Sequence, residues 1–233
     1  MLKIVMEQKT GTPYWGIIAE TGVWPYKYIV KYKQLMFSHN LINSSDTRVA
    51  KKILLQQSYN NYENNYYNEI KNMANKMGIQ YDIETMHKTS KSKWKSNIKH
   101  KINKQILLDI KKETANKKKM RFVKKDVMEP EEYIKQLNMR EVATILKLKL
   151  NMVETKANFP NKYDDRMCIM CKREEETTEH LFKCERYRRL SNNQLAWNDH
   201  EEGGQWKDVE CLKEAAKVVE RVEEIREREM NRL

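Results

Sequence analysis

The sequence predicts a mostly α-helical protein, an irregular helical assembly, and three observations lead there. Only 6 of its 233 residues are glycine and 4 are proline, too few for the turns of a strand-rich fold. Lys, Glu, Asn, Met and Leu abound, a composition that suits helices joined by polar connections. Apolar side chains recur at three- and four-residue steps along much of the chain. With 39% hydrophobic and 33% charged residues and a mean hydropathy of -0.90, the core is expected to be thin and the surface extended, with stability marginal unless a metal or a partner adds to it. No run approaches the roughly 18 to 20 apolar residues that cross a bilayer. The opening MLKIVMEQKT is too short and too polar for a signal peptide, so an intracellular setting, nuclear or cytoplasmic, is expected, with no membrane partner.

Residues 1–24 show little periodicity, and Gly11-Thr12-Pro13 and Thr21-Gly22 read as turn chemistry around an irregular stretch. A helix is expected from Pro25, whose fixed φ suits a first helical position, through Ile29, Tyr32, Leu35, Met36, His39 and Ile42 to the break at Asn43-Ser44-Ser45. Asp46 is the expected N-cap of the next helix, with Val49, Ala50, Ile53 and Leu54 on its apolar side. A third runs from about Tyr62 to Met77, burying Tyr66, Ile70, Met73 and Met77 and stopping at Gly78. Glu129-Pro130-Glu131-Glu132 places acids at the positive end of a short helix. Val142, Ile145, Leu146, Leu148 and Leu150 make another, interrupted by Lys147 and Lys149, and residues 151–167 read as an irregular connection. The last long helix spans about Asp208 to Arg228, with Val209, Leu212, Ala216, Val219, Val222 and Ile225 on one side and Glu, Arg and Lys on the other.

The formal charge of +12 is concentrated in one window. Between Lys88 and Lys125 fifteen Lys and Arg face only Asp109 and Glu113, so the rest of the chain is nearly neutral in sum. Trp94, Ile98, Ile102, Ile106 and Ile110 follow one another at strict four-residue spacing through that window, a helical signal. Four residues advance a helix by about 400°, so the apolar row slides by about 40° per step and spirals around the axis. Such a helix either crosses its neighbours obliquely or breaks near Leu107-Leu108, with lysines projecting on both sides of the row. Lysines spread over a helix neutralise phosphates without reading bases, which points to nucleic acid. Two other readings weigh against it: a solvated face that serves solubility, and a basic amphipathic helix for an acidic membrane surface or acidic protein.

The most specific motif is Cys168-x2-Cys171-x8-His180-x3-Cys184. Two thiolates three positions apart fit a tight metal-gripping turn, and a His and a Cys four positions apart share one face of a helix. Four such ligands close a tetrahedron with no position left for water, so the implied ion is a structural Zn²⁺, and the fold gains a small zinc-stapled CCHC module near the C-terminus. Thr177 or Thr178 is the expected cap of the ligand-bearing helix, with Glu179 in its first turn. The plainer alternative is three reduced cysteines and a chance histidine. Cys211, His39, His87, His100 and His200 are expected to be ordinary side chains. Glu174-Glu175-Glu176 reads as a solvated acidic run, and Tyr163-Asp164-Asp165, which lacks flanking apolar strands, as a loop coincidence. No Gly-rich phosphate loop, nucleophile elbow or Ser/His/Asp spacing is present, and no catalytic residue is assigned.

ETGVWP followed by KYIVKYKQLMFSHNLIN, and ILKLKLNM ahead of CIMCKREEETTEHLFKC, together resemble the C-terminal region of non-LTR retrotransposon reverse transcriptase polyproteins over most of the chain. The family commonly has four residues between the His and the last Cys, where this chain has three. The resemblance implies a zinc-binding element that follows the polymerase core and handles nucleic acid, with Cys168, Cys171, His180 and Cys184 as its ligands. Because the polymerase motifs are absent, it also implies a part of an RNA-directed DNA polymerase that is not itself an enzyme, with the remainder of such a polyprotein as a partner. Four segments follow: 1–87, resembling the stretch after the polymerase core; 88–150, basic and helical; 151–192, the CCHC module; and 193–233, a charged helix. The expected role is phosphate contact with RNA template or target DNA through Lys91, Lys95, Lys99, Lys101, Lys104, Lys111, Lys112, Lys117, Lys118, Lys119 and Arg121, joined near the metal by Lys183, Arg186, Arg188 and Arg189. The competing functions are a helical protein-interaction scaffold and a polymerase or nuclease fragment active through Asp164 and Asp165.

Overall fold

The computed structural model describes residues 11–60, 64–120, 123–191 and 208–230, and the protein is mostly helical, with no strand paired into a sheet among the described residues. No helix among them is long and apolar enough to cross a membrane. The chain divides into two compact units, one of Met1–Val23, Ile110–Lys125 and Glu129–Leu233, the other of Trp24–Asp109 and Asp126–Met128.

Helix α1 (Tyr14–Thr21) opens the first unit where an irregular stretch was expected. Residues 16–21 are all buried. A helix enclosed on nearly every side carries no two-sided apolar pattern, so periodicity could not announce it. Gly22 ends it at φ 65°, and a Cβ there would lie 2.5 Å from the Glu129 carbonyl carbon, so both conformation and space require glycine.

The second unit holds α2 (Tyr26–Ile42), α3 (Val49–Tyr59), α4 (Tyr66–Lys76), α5 (Ile83–Lys88) and most of α6 (Lys91–Asn116). Helix α2 has the expected extent, with Pro25 at the N-cap and Leu35, His39 and Ile42 buried. In α3 the expectation fails in register. Asp46 does not cap the helix; its carboxylate takes the Lys51 ammonium at 2.7 Å, and Lys51 also donates to the Ser44 carbonyl at 2.9 Å. With its charge satisfied Lys51 turns inward beside Leu54, while Val49 and Ile53 are 69% and 50% exposed. Asn65 caps α4 by accepting from Asn68 N at 2.8 Å, and Gly78 closes it at φ 65°. Tyr67 and not Tyr66 is the buried ring. Tyr62, where the helix was expected to begin, lies outside the described residues.

Helix α6 confirms the spiralling row: Trp94, Ile98, Ile102, Ile106 and Ile110 are at most 1% exposed, and the helix passes Leu107 and Leu108 without a break. Within the second unit Trp94 stacks on His39 with ring centres 5.5 Å apart and donates its indole N–H to the Leu35 carbonyl at 3.3 Å. Trp24 donates to Asn103 at 2.8 Å, and the Tyr28 hydroxyl donates to Asp109 at 2.8 Å. Ile102→Ala is therefore expected to cost about 2–5 kcal/mol, read as a lower urea midpoint by far-UV circular dichroism. A midpoint shift worth less than about 1 kcal/mol would show that the row is not packed.

After a 3₁₀ turn at Lys118–Met120, the first unit continues with α7 (Glu132–Gln136), α8 (Met139–Lys149), α9 (Thr178–Lys183), α10 (Glu185–Ser191) and α11 (Val209–Met230). Asn138 and Glu141 form a reciprocal capping box at the start of α8. Helix α11 lays Leu212, Ala215, Ala216, Val219, Val222 and Ile225 inward, and α8 is among the helices it packs against. Lys149, expected as an interruption of the apolar run, is buried. Its ammonium lies 2.6 Å from Glu20 Oε2, which also accepts from the Tyr133 hydroxyl at 2.9 Å. A buried charge of this kind persists only with such a partner.

Candidate metal centre

The four candidate metal ligands come from a hairpin and from the helices that follow it. Residues 166–176 double back on themselves: Met167 and Glu175 form an antiparallel bridge, Cys168 N donates to the Glu174 carbonyl at 2.8 Å, and Glu176 N donates to the Arg166 carbonyl at 2.8 Å. The turn between the first two cysteines closes when Lys172 N donates to the Cys168 carbonyl at 2.9 Å, with Lys172 in the left-handed region at φ 53°. Arg186 props it from outside, its guanidinium donating to the Met170 carbonyl at 2.9 Å.

Thr177 caps α9 as expected, its hydroxyl accepting from His180 N at 3.0 Å, with Glu179 in the first turn. Cys184 stands where α9 ends. Its N–H reaches the His180 carbonyl at 2.7 Å, and its own carbonyl takes Arg188 N at 2.9 Å at the start of α10. A six-residue helix followed at once by another thus sets His180 and Cys184 facing the hairpin.

The four ligand atoms of Cys168, Cys171, His180 and Cys184 all lie within 4.8 Å of one another. Cys168 and Cys184 sulfurs are 4.0 Å apart, too far for a disulfide of about 2.05 Å, and Cys171 Sγ is 3.4 Å from His180 Nε2. A tetrahedral ion with bonds of about 2.3 Å to sulfur and about 2.0 Å to nitrogen needs edges of about 3.8 Å between sulfurs and about 3.5 Å from sulfur to nitrogen. The donor set and both short edges fit. Glu174 supplies the outer support: its carboxylate lies 3.1 Å from His180 Nδ1. Since a carboxylate accepts only, Nδ1 carries the proton and Nε2 offers its lone pair toward the sulfurs.

The thiols differ electrostatically. Burial pushes Cys168 up to about 12 and raises Cys184 as well. Burial also opposes ionisation of Cys171, but donation from the Arg173 and Glu174 N–H groups, with the His180 ring alongside, outweighs it and brings that thiol down to about 7. Binding a metal at the buried thiols therefore releases protons.

Two acids of the run expected to be solvated are structural. Beyond Glu174, Glu176 is fully buried and accepts from Lys156 N at 3.0 Å, the Tyr187 hydroxyl at 3.1 Å, Ile169 N at 3.5 Å and the Arg226 guanidinium at 3.1 Å. A sequence signal existed for its partner, because Arg226 falls on the apolar stripe of α11, four residues after Val222. A cation there demands a buried acid. Asp164 and Asp165 lie exposed in the irregular connection, where Asp165 takes the Lys156 ammonium at 2.9 Å.

The expected phosphate contacts fall into several groups. Lys91, Lys95, Lys99, Lys104, Lys111 and Lys112 are exposed on α6, and Lys101 is half-buried there. Lys117 pairs with Glu113. Lys119 is turned inward, 3.4 Å from Met152 Sδ and over the Phe159 ring. Lys118 belongs to the 3₁₀ turn, and Arg121 lies outside the described residues, as does His200. Near the metal ligands Lys183 and Arg188 are exposed, Arg189 pairs with Glu185, and Arg186 holds the hairpin as described. Comparison with protein-family models, with curated proteins and with solved structures found no match to this chain.

Proposed function

We propose that the protein is a zinc-dependent nucleic-acid-binding module, derived from the tail of a non-LTR retrotransposon reverse transcriptase, that contacts RNA template or target DNA through phosphates and carries no catalysis of its own. Three thiolates and an imidazole in a closed tetrahedral set are the ligands of a structural zinc ion, which would supply cross-linking and no chemistry. One observation carries the nucleic-acid reading. Helix α11, a solvated charged helix of the same chain, neutralises itself by pairs such as Lys217–Glu214 at 2.6 Å and Arg221–Glu224 at 2.9 Å. Over residues 85–108, by contrast, there are seven lysines and no acid, and Lys91 to Lys104 make no ion pair among the described residues. Solubility alone does not require such a one-signed element, whereas a polyanion does.

The test is retention of labelled RNA and DNA by the zinc-loaded protein across a salt series. If about five phosphates are neutralised, the log-log slope on duplex is expected near -4.5. A flat salt response, or no retention, overturns the reading.

A further inference from the structure

Helix α6 sorts its residues into four rows because the apolar row advances by four. Any other set at the same spacing drifts with it and keeps a fixed offset, about a quarter turn per residue of displacement. One flank therefore reads Lys91, Lys95, Lys99, Asn103; the outermost row Ser92, Ser96, His100, Lys104; the other flank Lys93, Asn97, Lys101, Gln105, Asp109. The flanks are not equivalent. The first presents three exposed lysines, each about one helical turn and about 6 Å along the axis from the next, as a gently spiralling track for a strand's phosphates. The second ends in Asp109, which is held by Lys27 at 3.1 Å and by Tyr28.

The lysine row stops at an aromatic pair. Asn103, next in the row after Lys99, accepts from the Trp24 indole N–H, which fixes that ring, and Trp24 meets Tyr32 edge to face with centres 5.6 Å apart. Both rings are part-exposed. Phosphate contacts alone suit any polyanion, but a positioned aromatic at the end of a phosphate track favours a strand whose bases are unpaired and can stack.

Building on the nucleic-acid reading, we infer that the second unit binds single-stranded nucleic acid, with successive phosphates along Lys91, Lys95 and Lys99 and a base against Trp24 and Tyr32. The other flank of α6 is not part of the track.

The experiment uses the full zinc-loaded chain and fluorescence anisotropy of one labelled oligonucleotide, alone and annealed to its complement, over a salt series. The single strand is expected to bind about tenfold tighter than the duplex. Gln at positions 91, 95 and 99 together (K91Q/K95Q/K99Q) is expected to make the single-strand salt slope shallower by about 2, at about 0.7 per phosphate, and Arg at the same three positions to restore it. K93Q/K101Q leaves the slope unchanged. All these positions face solvent or are half-exposed on the helix, and unchanged far-UV circular dichroism verifies the fold of each variant. Equal losses from the two flanks, or equal affinity for strand and duplex, overturn the one-sided track while leaving nucleic-acid binding in place. Absence of salt-dependent binding by the unaltered protein overturns both.

Discussion

Cys171→Ser is expected to remove stoichiometric zinc from the native mass spectrum and to strip hydrogen-exchange protection from the region between Cys168 and Tyr187. The reason is how little regular secondary structure that region has. Its hairpin has a single bridge, α9 has six residues, and a helix so short has no stability of its own. Zinc binding contributes on the order of 10 kcal/mol or more to such modules, so losing one of four ligands withdraws most of the energy that folds it. Chelation of the unaltered protein should give the same exchange pattern, reversed on adding zinc back. Protection of α6 should survive both treatments, because its buried row from Trp94 to Ile106 belongs to the other compact unit. A metal-free variant whose exchange matched the unaltered protein would show that the four side chains meet for packing reasons alone.

How much of this was legible in the sequence depends on what each element buries. Amphipathic helices declared themselves: the row at 94, 98, 102, 106 and 110, the α11 stripe, and the Thr177 cap before the ligand-bearing helix all stand where spacing placed them. Helix α1 did not, because it is buried nearly all round and has no polar side to mark its period. Short α5, capped by Asp82, offers too few residues for a period to appear. The register error in α3 has a different origin. Lys51 lies on the inner side because Ser44 and Asp46 satisfy its charge, a tertiary arrangement that hydropathy counting treats as impossible.

The same limit governs the metal centre. Ligand spacing is a local property, so the clustering of Cys168, Cys171, His180 and Cys184 could be read directly, but the residues that support them could not. Glu174 and Glu176 sit in a run of three acids whose members look interchangeable. The hairpin separates them, turning Glu174 to the His180 ring and Glu176 into the core. Arg186 was expected to meet phosphate, and its exposed guanidinium has a structural role that spacing did not announce, holding the turn between Cys168 and Cys171.

The second large effect follows from Glu176. Its carboxylate joins four parts of the first unit: Lys156 in the connection before the hairpin, Ile169 within the turn between Cys168 and Cys171, Tyr187 on α10 and Arg226 on α11, whose side chain is 6% exposed. Removing one member of a buried pair leaves the other charged and unpaired, at a cost of about 3–5 kcal/mol. Glu176→Ala orphans Arg226 and, in addition, the Tyr187 hydroxyl and two backbone N–H groups. Arg226→Ala leaves Glu176 three donors and a stack partner lost only at Tyr163, over which the guanidinium lies at 5.0 Å. Glu176→Ala should therefore destabilise more than Arg226→Ala, and the double variant less than the sum of the two, measured by urea denaturation as a double-mutant cycle. Glu176→Ala should also weaken zinc retention against a competing chelator, since Ile169 N lies between the first two ligands, whereas Arg226→Ala should change it little. Equal and additive losses would mean that the carboxylate is not the common anchor, and that the metal-binding turn and α11 are held independently.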